Sequence, residues 1–345
     1  MEIRTLEASE RDAWLDLLDG WELPDGWRGR DFFGRFVEHD PTWCDDNVWV
    51  AVDGGRLVSA VQIFPRELRL LDQPVPTGGI GSVFTVESHR RKGVAGQVLE
   101  GALSAMRERD MELSLLFATR FDFYGAHGFV SWKNQRAWMN RAGGPRAEIP
   151  VDESLETSRF DEANDLEALK ALQVEYSRSR SGTVVRDDAL WDASFDLAGN
   201  PDEELMVARQ GGELVAHLRL ARMFGKLIVT ELSRSDDPEP LAQLIDDQLR
   251  PRDHDVLCDD ELSSESLRGE LLLPCFDDLL LTVSLERRGI AARVVDDPTN
   301  MLQCLDARAL GARLDVAVRS DETPTEFLQR VLPPETFVFW PADRF

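Results

Sequence analysis

Lysine is almost missing from this chain: Lys92, Lys133, Lys170 and Lys226 are the four lysines in 345 residues. Lys and Arg together number 39 against 64 Asp and Glu, a formal net charge of −25. A surface this negative repels phosphate backbones, so no nucleic-acid partner is expected. Acid excess with so little lysine is the pattern of a halophilic solvation surface, where concentrated salt screens self-repulsion within a few Å. A polycation-binding surface is the competing reading. Long apolar runs are also missing, and no uncharged stretch approaches the ~20 residues of a membrane span. Met1–Thr5 lacks the basic-then-apolar order of a leader, so a cytoplasmic protein without a membrane partner is expected. Cys44, Cys258, Cys275 and Cys304 share no ligand or disulfide spacing. His39, His89, His127, His217 and His254 show none either, so no metal is expected. Nucleophile elbow, Walker loop and paired glycosidase carboxylates are all lacking.

Hydrophobic residues make up 43% of the chain, enough for buried cores, and its length favours more than one. A segment repeats. Residues 50–58 read Val-Ala-Val-Asp-Gly-Gly-Arg-Leu-Val and residues 207–215 read Val-Ala-Arg-Gln-Gly-Gly-Glu-Leu-Val. Each fits strand, Gly-Gly hairpin turn, strand. The flanks agree, since Asn47–Phe64 parallels Glu204–Phe224 and an apolar strand follows each (Gly81–Val86; Lys226–Leu232). A duplicated α/β (α+β) unit is therefore expected. Gly143-Gly144-Pro145 through Pro150 reads as a junction, which bounds the units at 1–145 and 146–287. Residues 288–345 remain as a tail, with a strand at Ala291–Val295 and helices at Thr299–Leu310 and Thr325–Val331 expected in it.

One stretch concentrates the scarce cations. The apolar strand Ile80–Val86 is followed by Glu87-Ser88-His89-Arg90-Arg91-Lys92-Gly93-Val94-Ala95-Gly96. A helix comes next, with Val94, Val98, Leu99, Ala102, Leu103 and Met106 on one face. Strand, basic glycine loop and helix start together place backbone N–H groups and a positive helix end at one point, which suits a pyrophosphate. Gly93 lets the backbone approach the phosphates, and small Ala95 and Gly96 keep the first turn open. The next expected strand, Leu113–Thr119, leads into Phe121-Asp122-Phe123-Tyr124-Gly125-Ala126-His127-Gly128-Phe129.

These two stretches resemble the GCN5-related N-acetyltransferase (GNAT) superfamily. Its coenzyme signature, Arg/Gln-x-x-Gly-x-Gly/Ala, is matched by Arg90, Gly93 and Ala95. The resemblance implies acetyl-CoA as co-substrate, gripped by Arg90, Arg91, Lys92, Gly93, Val94, Ala95 and Gly96, with Thr119 nearby. It implies that the backbone of Val83, Phe84 and Thr85 pairs with the pantetheine arm. It also implies that Tyr124, one of two tyrosines, protonates the departing thiolate. Thr85-Val86-Glu87 stands where many members carry Val-x-Pro. His127 reads either as a helper in proton transfer or as a solvated loop histidine.

More narrowly, the whole chain looks like the enhanced-intracellular-survival (Eis-like) acetyltransferases, on His89–Gly93, Arg293-Val294-Val295-Asp296-Asp297-Pro298 and the terminal Phe345. That family implies tandem GNAT folds, the second degenerate, then a sterol-carrier-like region, here reduced. It implies a trimer or hexamer, and the Phe345 α-carboxylate as general base. Arg344 stands where members taking polycationic amines tend to carry an acid. The second copy follows its strand with Ser233-Arg234-Ser235-Asp236-Asp237-Pro238-Glu239-Pro240, which has no glycine motif, so no second coenzyme is expected. Trp21 through Trp27, with Phe32, Phe33 and Phe36, is expected to line the acceptor site, with Glu22 and Asp25 as acids. The acceptor itself stays open between a small-molecule amine, a polyamine and a lysine. A non-catalytic acyl-CoA or lipid-binding regulatory module is the alternative function.

Overall fold

The computed structural model describes residues 1–23, 27–141, 154–197, 203–223, 226–249, 271–273, 279–332 and 337–338. The chain opens with strand β1 (Glu2–Thr5) and helices α1 (Arg11–Leu18) and α2 (Gly29–His39). Strands β2 (Val48–Asp53), β3 (Arg56–Leu70) and β4 (Gln73–Thr85) follow as antiparallel neighbours. Helix α3 (Val94–Glu108), strand β5 (Leu113–Phe117), helix α4 (Phe121–Gly125) and strand β6 (Val130–Arg141) complete the series. The order then repeats as β7 (Leu155–Arg159), α5 (Glu162–Ser177), α6 (Asp188–Leu197), β8 (Glu204–Gln210), β9 (Glu213–Met223) and β10 (Lys226–Arg234). It finishes with α7 (Glu239–Leu249), β11 (Leu271–Leu273), α8 (Leu279–Arg287) and β12 (Ile290–Cys304). Helices α9 (Ala307–Arg313) and α10 (Pro324–Val331) come after the repeat.

The twelve described strands form one sheet, in the order β1-β2-β3-β4-β5-β12-β6-β11-β10-β9-β8-β7. Read from its two edges, the order is the same except at the centre. There, the fifth strand of each half pairs with the sixth strand of the other: β5 with β12, and β11 with β6. The exchange removes two open edges, each of which would leave a row of backbone polar groups unpaired.

Two expectations for the tail are thereby corrected. Residues 290–304 form a central strand of the sheet rather than opening a tail after residue 287, and the segment expected to be helical from Thr299 stays extended to Cys304. Trp132 and Leu302, on adjacent strands, are buried in one cluster with Leu113 and Leu115, so a strand at this place covers apolar surface that a detached tail would leave wet. Pro298 sits where β12 carries an extra residue against β6, a position that asks for no N–H. Among the described residues, 305–338 form no sheet of their own. Helices α9 and α10 instead bury Leu310, Phe327, Leu328 and Val331 against β3, β4 and β5.

Alternation and register assign the faces of the first half. Phe64 pairs with Gly79, and Gly79 with Leu115, so these three share a face. Helices α1 and α2 cover that face with Trp14, Leu18, Phe33 and Phe36, while α3 covers the other with Val98, Leu99, Leu103 and Met106. The tail meets the first face too. Val338 N donates to the Ser181 carbonyl (2.6 Å), and Gly182 N to the Arg69 carbonyl (2.7 Å) beside the β3–β4 turn. Helix α6 of the second half packs on α2, so the two halves meet above this face.

Candidate active site

Strand β4 pairs in parallel with β5 from Thr77 to Ile80 and then leaves it. The departure coincides with a bulge: between the pairs Gln62–Gly81 and Ala60–Phe84, β4 carries one residue more than β3. Ser82 takes the strain with φ +52, and its hydroxyl donates to Gln62 Oε1 at 2.8 Å, both side chains being buried. Past the bulge, Val86 N donates to the Val58 carbonyl on β3. By alternation Phe84 also turns its backbone to β3, whereas Val83 and Thr85 turn theirs to the open gap. Of the three residues expected to meet a pantetheine arm, two therefore present backbone groups there, and Phe84 contributes its ring.

At the end of β4 the basic loop folds back on the strand. Arg90 Nε donates to the Thr85 carbonyl at 2.9 Å, and its guanidinium lies 5.6 Å from the Phe84 ring centre. His89 is held by Asp53 at 3.1 Å. Arg91 (φ +59) and Lys92 are exposed, and neither makes an ion pair among the described residues. Gly93 takes φ +78 just before α3, a conformation a side chain would strain. The 15-residue helix then starts with no side-chain cap and no acid in its first turn. The N–H groups of Val94, Ala95 and Gly96 thus stay without intrahelical partners at the positive end of the helix dipole. Val94 is buried and anchors that end, while Ala95 and Gly96 are half-buried.

Helix α4 carries Tyr124 to the same place. Its ring packs in the α3 cluster, edge-on to Phe123 (4.8 Å) and to Phe129 (6.0 Å). Burial pushes the phenol up to about 12, so it is protonated at any ordinary pH. The hydroxyl has no hydrogen-bond partner among the described residues. Beside it, His127 lies against Gly96: a Cβ at Gly96 would fall 3.1 Å from the imidazole Cε1 and Nε2. Glu100 holds the other imidazole nitrogen at 2.6 Å, and Gln303 on β12 donates to the His127 carbonyl at 3.1 Å. Thr119 is exposed at the bend after β5.

Residues 2–131 match the family model described as acetyltransferase (GNAT) domain. That stretch is a GNAT acetyltransferase domain. A curated relative, an uncharacterized N-acetyltransferase of Streptomyces avermitilis, is 30% identical over 149 residues, which span 41% of this chain and 35% of the relative. The chain thus spans about a third of that relative's length. Two solved structures share the fold over most of this chain. A probable N-acyltransferase from Enterococcus faecalis V583 has a TM-score of 0.65 at 16% identity, covering 90% of this chain and 74% of its own. Eis1 from Mycobacterium abscessus has a TM-score of 0.59 at 16% identity, covering 90% and 75%.

The side of the β4 end that faces α1 and α2 is aromatic. Trp21 packs on Phe84 (6.1 Å) and on Phe33 (5.4 Å), and Phe33 on Phe32 (5.1 Å). Phe32, Phe33 and Phe36 belong to α2 itself rather than to the connection before it. Glu22 is exposed at the start of that connection. Asp25 and Phe345 lie outside the described residues.

The second half carries different groups at the corresponding strand. Among the described residues β10 pairs with β11 at Leu227 and Ile228, and β10 continues to Arg234. Helix α7 is closed by the Asp237 carboxylate, which accepts from Glu239 N at 3.0 Å, and Glu239 stands in its first turn. The Arg234 guanidinium is turned back to the carbonyls of Ser235 (2.6 Å) and Asp236 (2.9 Å). Where the GNAT domain has Gln62 paired with Gly81, the repeat has Arg219 paired with Glu231. Glu231 is buried and bound by Arg186 (2.6 Å) and Gln173 (3.2 Å), with His217 Nε2 at 3.8 Å. Among the described residues no cluster of His, Cys, Asp or Glu can hold a metal ion. No described helix is long and apolar enough to cross a membrane.

Sequence reasoning missed Ser82, Gln62 and the contact of His127 with Gly96. Register decides the first two, and the third joins α3 to the turn after α4. No local pattern carries either.

Proposed function

We propose that the chain is an N-acetyltransferase that moves the acetyl group of acetyl-CoA to a primary amine by direct attack on the thioester. The observation that carries this reading is the uncapped start of α3 at the foot of the β4–β5 gap, with the Tyr124 phenol beside it, held protonated by burial and without a hydrogen-bond partner among the described residues. The N–H groups of Val94, Ala95 and Gly96, with Arg91 and Lys92, take the pyrophosphate, and Val83 and Thr85 hold the pantetheine arm. The amine attacks the thioester carbonyl and the C–S bond breaks. Tyr124 then meets the departing sulfur as a full hydrogen-bond donor. A phenol near 12 is a weaker acid than an ordinary thiol at about 8.5, so it stabilises the thiolate charge and passes its proton only as another proton replaces it. A phenol held protonated by burial at this point favours catalysis over a regulatory binding module.

The base in this reading is the terminal carboxylate of Phe345. Val338 is docked, and seven residues follow it. Fully extended, they reach at most about 25 Å. The seven residues of β4 from Pro74, opposite Arg69, to Ile80, where the gap opens, span six steps or about 20 Å. Seven residues are therefore long enough to span that distance.

The Eis-like assignment extends the same reading. We take the two repeats as tandem GNAT folds with a silent second site, and residues 305–345 as the piece that delivers the carboxylate, without a lipid-carrying role. A soluble cytoplasmic trimer or hexamer adapted to high salt is part of this proposal, and light scattering in concentrated salt tests it. The acceptor is a small-molecule amine, a polyamine or a lysine. The deciding assay follows thiol release from acetyl-CoA with an amine panel in high salt. Release that depends on both an amine and Tyr124 supports the reading, and none with any amine overturns it.

A further inference from the structure

Arg35 is a cation that passes over the acids available to it. Asp31 and Glu38 lie four residues before and three after it on α2, where ion pairs form readily. Arg35 pairs with neither, and it has no carboxylate within 4.0 Å among the described residues. Its guanidinium instead lies 4.8 Å from the Trp27 ring centre and 4.9 Å from that of Phe32. Its one hydrogen bond is a long contact from Nε to the Phe32 carbonyl, 3.5 Å. Three more deeply buried arginines are paired: Arg66 with Asp40 (2.7 Å), Arg186 with Glu231 (2.6 Å) and Arg219 with Glu203 (2.8 Å). Glu203, the acid whose charge reaches Arg35, is already bound by Arg219 and by the Thr230 hydroxyl (2.6 Å). Burial weakens the charged form of Arg35, and Glu203 restores part of it from a distance. With 64 acids against 39 basic residues, an unpaired and half-buried guanidinium calls for an anion from outside.

Its position says which anion. Arg35 touches Phe32, and the rings run on through Phe33 and Trp21 to Phe84, beside the gap where the thioester would lie. We propose that Arg35 recognises a carboxylate on the acceptor, so that the acceptor is a peptide-like amine whose carboxylate lies several bonds from the reacting nitrogen. This rests on the acetyltransferase reading above. Aromatic rings on the faces of the guanidinium leave its edge, where paired N–H groups match a planar carboxylate. The same rings supply apolar contact for the intervening chain.

The test compares glycyl-glycyl-phenylalanine as free acid and as C-terminal amide, in wild type, Arg35→Met and Arg35→Lys. Binding is read by tryptophan fluorescence, which needs no turnover, and kcat and KM are measured with acetyl-CoA. Wild type should prefer the acid by about tenfold or more, chiefly in KM. Arg35→Met should lose the preference while its affinity for coenzyme A is kept, and Arg35→Lys should keep part of it. Equal binding of acid and amide by wild type overturns the proposal. So does an equal loss for both peptides in Arg35→Met, which would make Arg35 a packing residue. Failure of the acetyltransferase reading looks different: no coenzyme binding by calorimetry and no turnover, with the acid-over-amide difference in fluorescence still present.

Discussion

Arg90 donates through Nε to the carbonyl of Thr85 at 2.9 Å, so the loop is strapped to the strand end it follows. That leaves Arg91 and Lys92 as the loop cations with no ion pair among the described residues. Arg90→Ala should weaken coenzyme A binding about tenfold, and Arg91→Glu by about 10–100-fold, because each removes a charge-assisted contact. Calorimetry at low and high salt checks this, and the Arg91→Glu effect should shrink as salt rises. Affinity unchanged in both variants would move the phosphates elsewhere.

Tyr124→Phe keeps the ring and removes the donor. Turnover should fall by roughly 10²–10⁴ with coenzyme affinity kept. Burial raises the phenol from about 10 to about 12. The stability this group contributes is therefore complete below about pH 10 and is lost as pH rises toward 12. A basic limb in the rate profile below pH 10 must belong to another group. Ultraviolet titration of wild type against Tyr124→Phe isolates the shift, and a Tyr124 titration near 10 would contradict it.

The buried knot of the repeat should govern acid stability. Burial drives His217 toward its neutral form, although Glu231 opposes this. An unfolded chain takes up that proton below about pH 6.5, so stability falls as pH drops through that value. For Glu231, burial favours the neutral acid, but Arg186, with His217 and Arg219, outweighs it and lowers the pKa. Its stabilisation is present above about pH 4.3 and lost below. Glu231→Ala should cost about 3–5 kcal/mol, because it removes the buried carboxylate that pairs with the buried Arg186 at 2.6 Å. Urea unfolding at pH 7.5 measures this, and a loss below 1 kcal/mol would show the knot to be solvated.

The terminal carboxylate gives a prediction that spares the fold. Deleting Phe345 withdraws the carboxylate by about 3.5 Å, and a C-terminal tag converts it to an amide. Either change should stop turnover while coenzyme A still binds. Equal turnover of untagged, tagged and shortened protein would pass the base role to Glu22, Asp25 or water.

The local parts of this molecule were legible in the sequence. Both Gly-Gly hairpins lie where the repeat put them, joining β2 to β3 and β8 to β9. The six apolar residues read as one face of a helix are all buried on α3. The loop before α3 and the helix start at Val94 lie where the sequence put them because their signal is short-range: one glycine, then an apolar helical period. The exchange of β6 and β12 does not read at all. It depends on pairing between segments about 150 residues apart, and strand propensity is silent about partners. Arg35 was missed for a similar reason, since its isolation depends on which acids it leaves unpaired.

The central claim is that one coenzyme site exists, at the start of α3, and that its twin in the repeat is closed. Calorimetric titration of coenzyme A into the wild-type chain and into Gly93→Trp tests this most directly. Gly93 needs φ +78 and faces open space, so tryptophan there both strains the loop and fills the phosphate approach. The account predicts one site per chain in the wild type and no detectable binding in a folded Gly93→Trp. Two sites per chain, or unchanged affinity in Gly93→Trp, would contradict it.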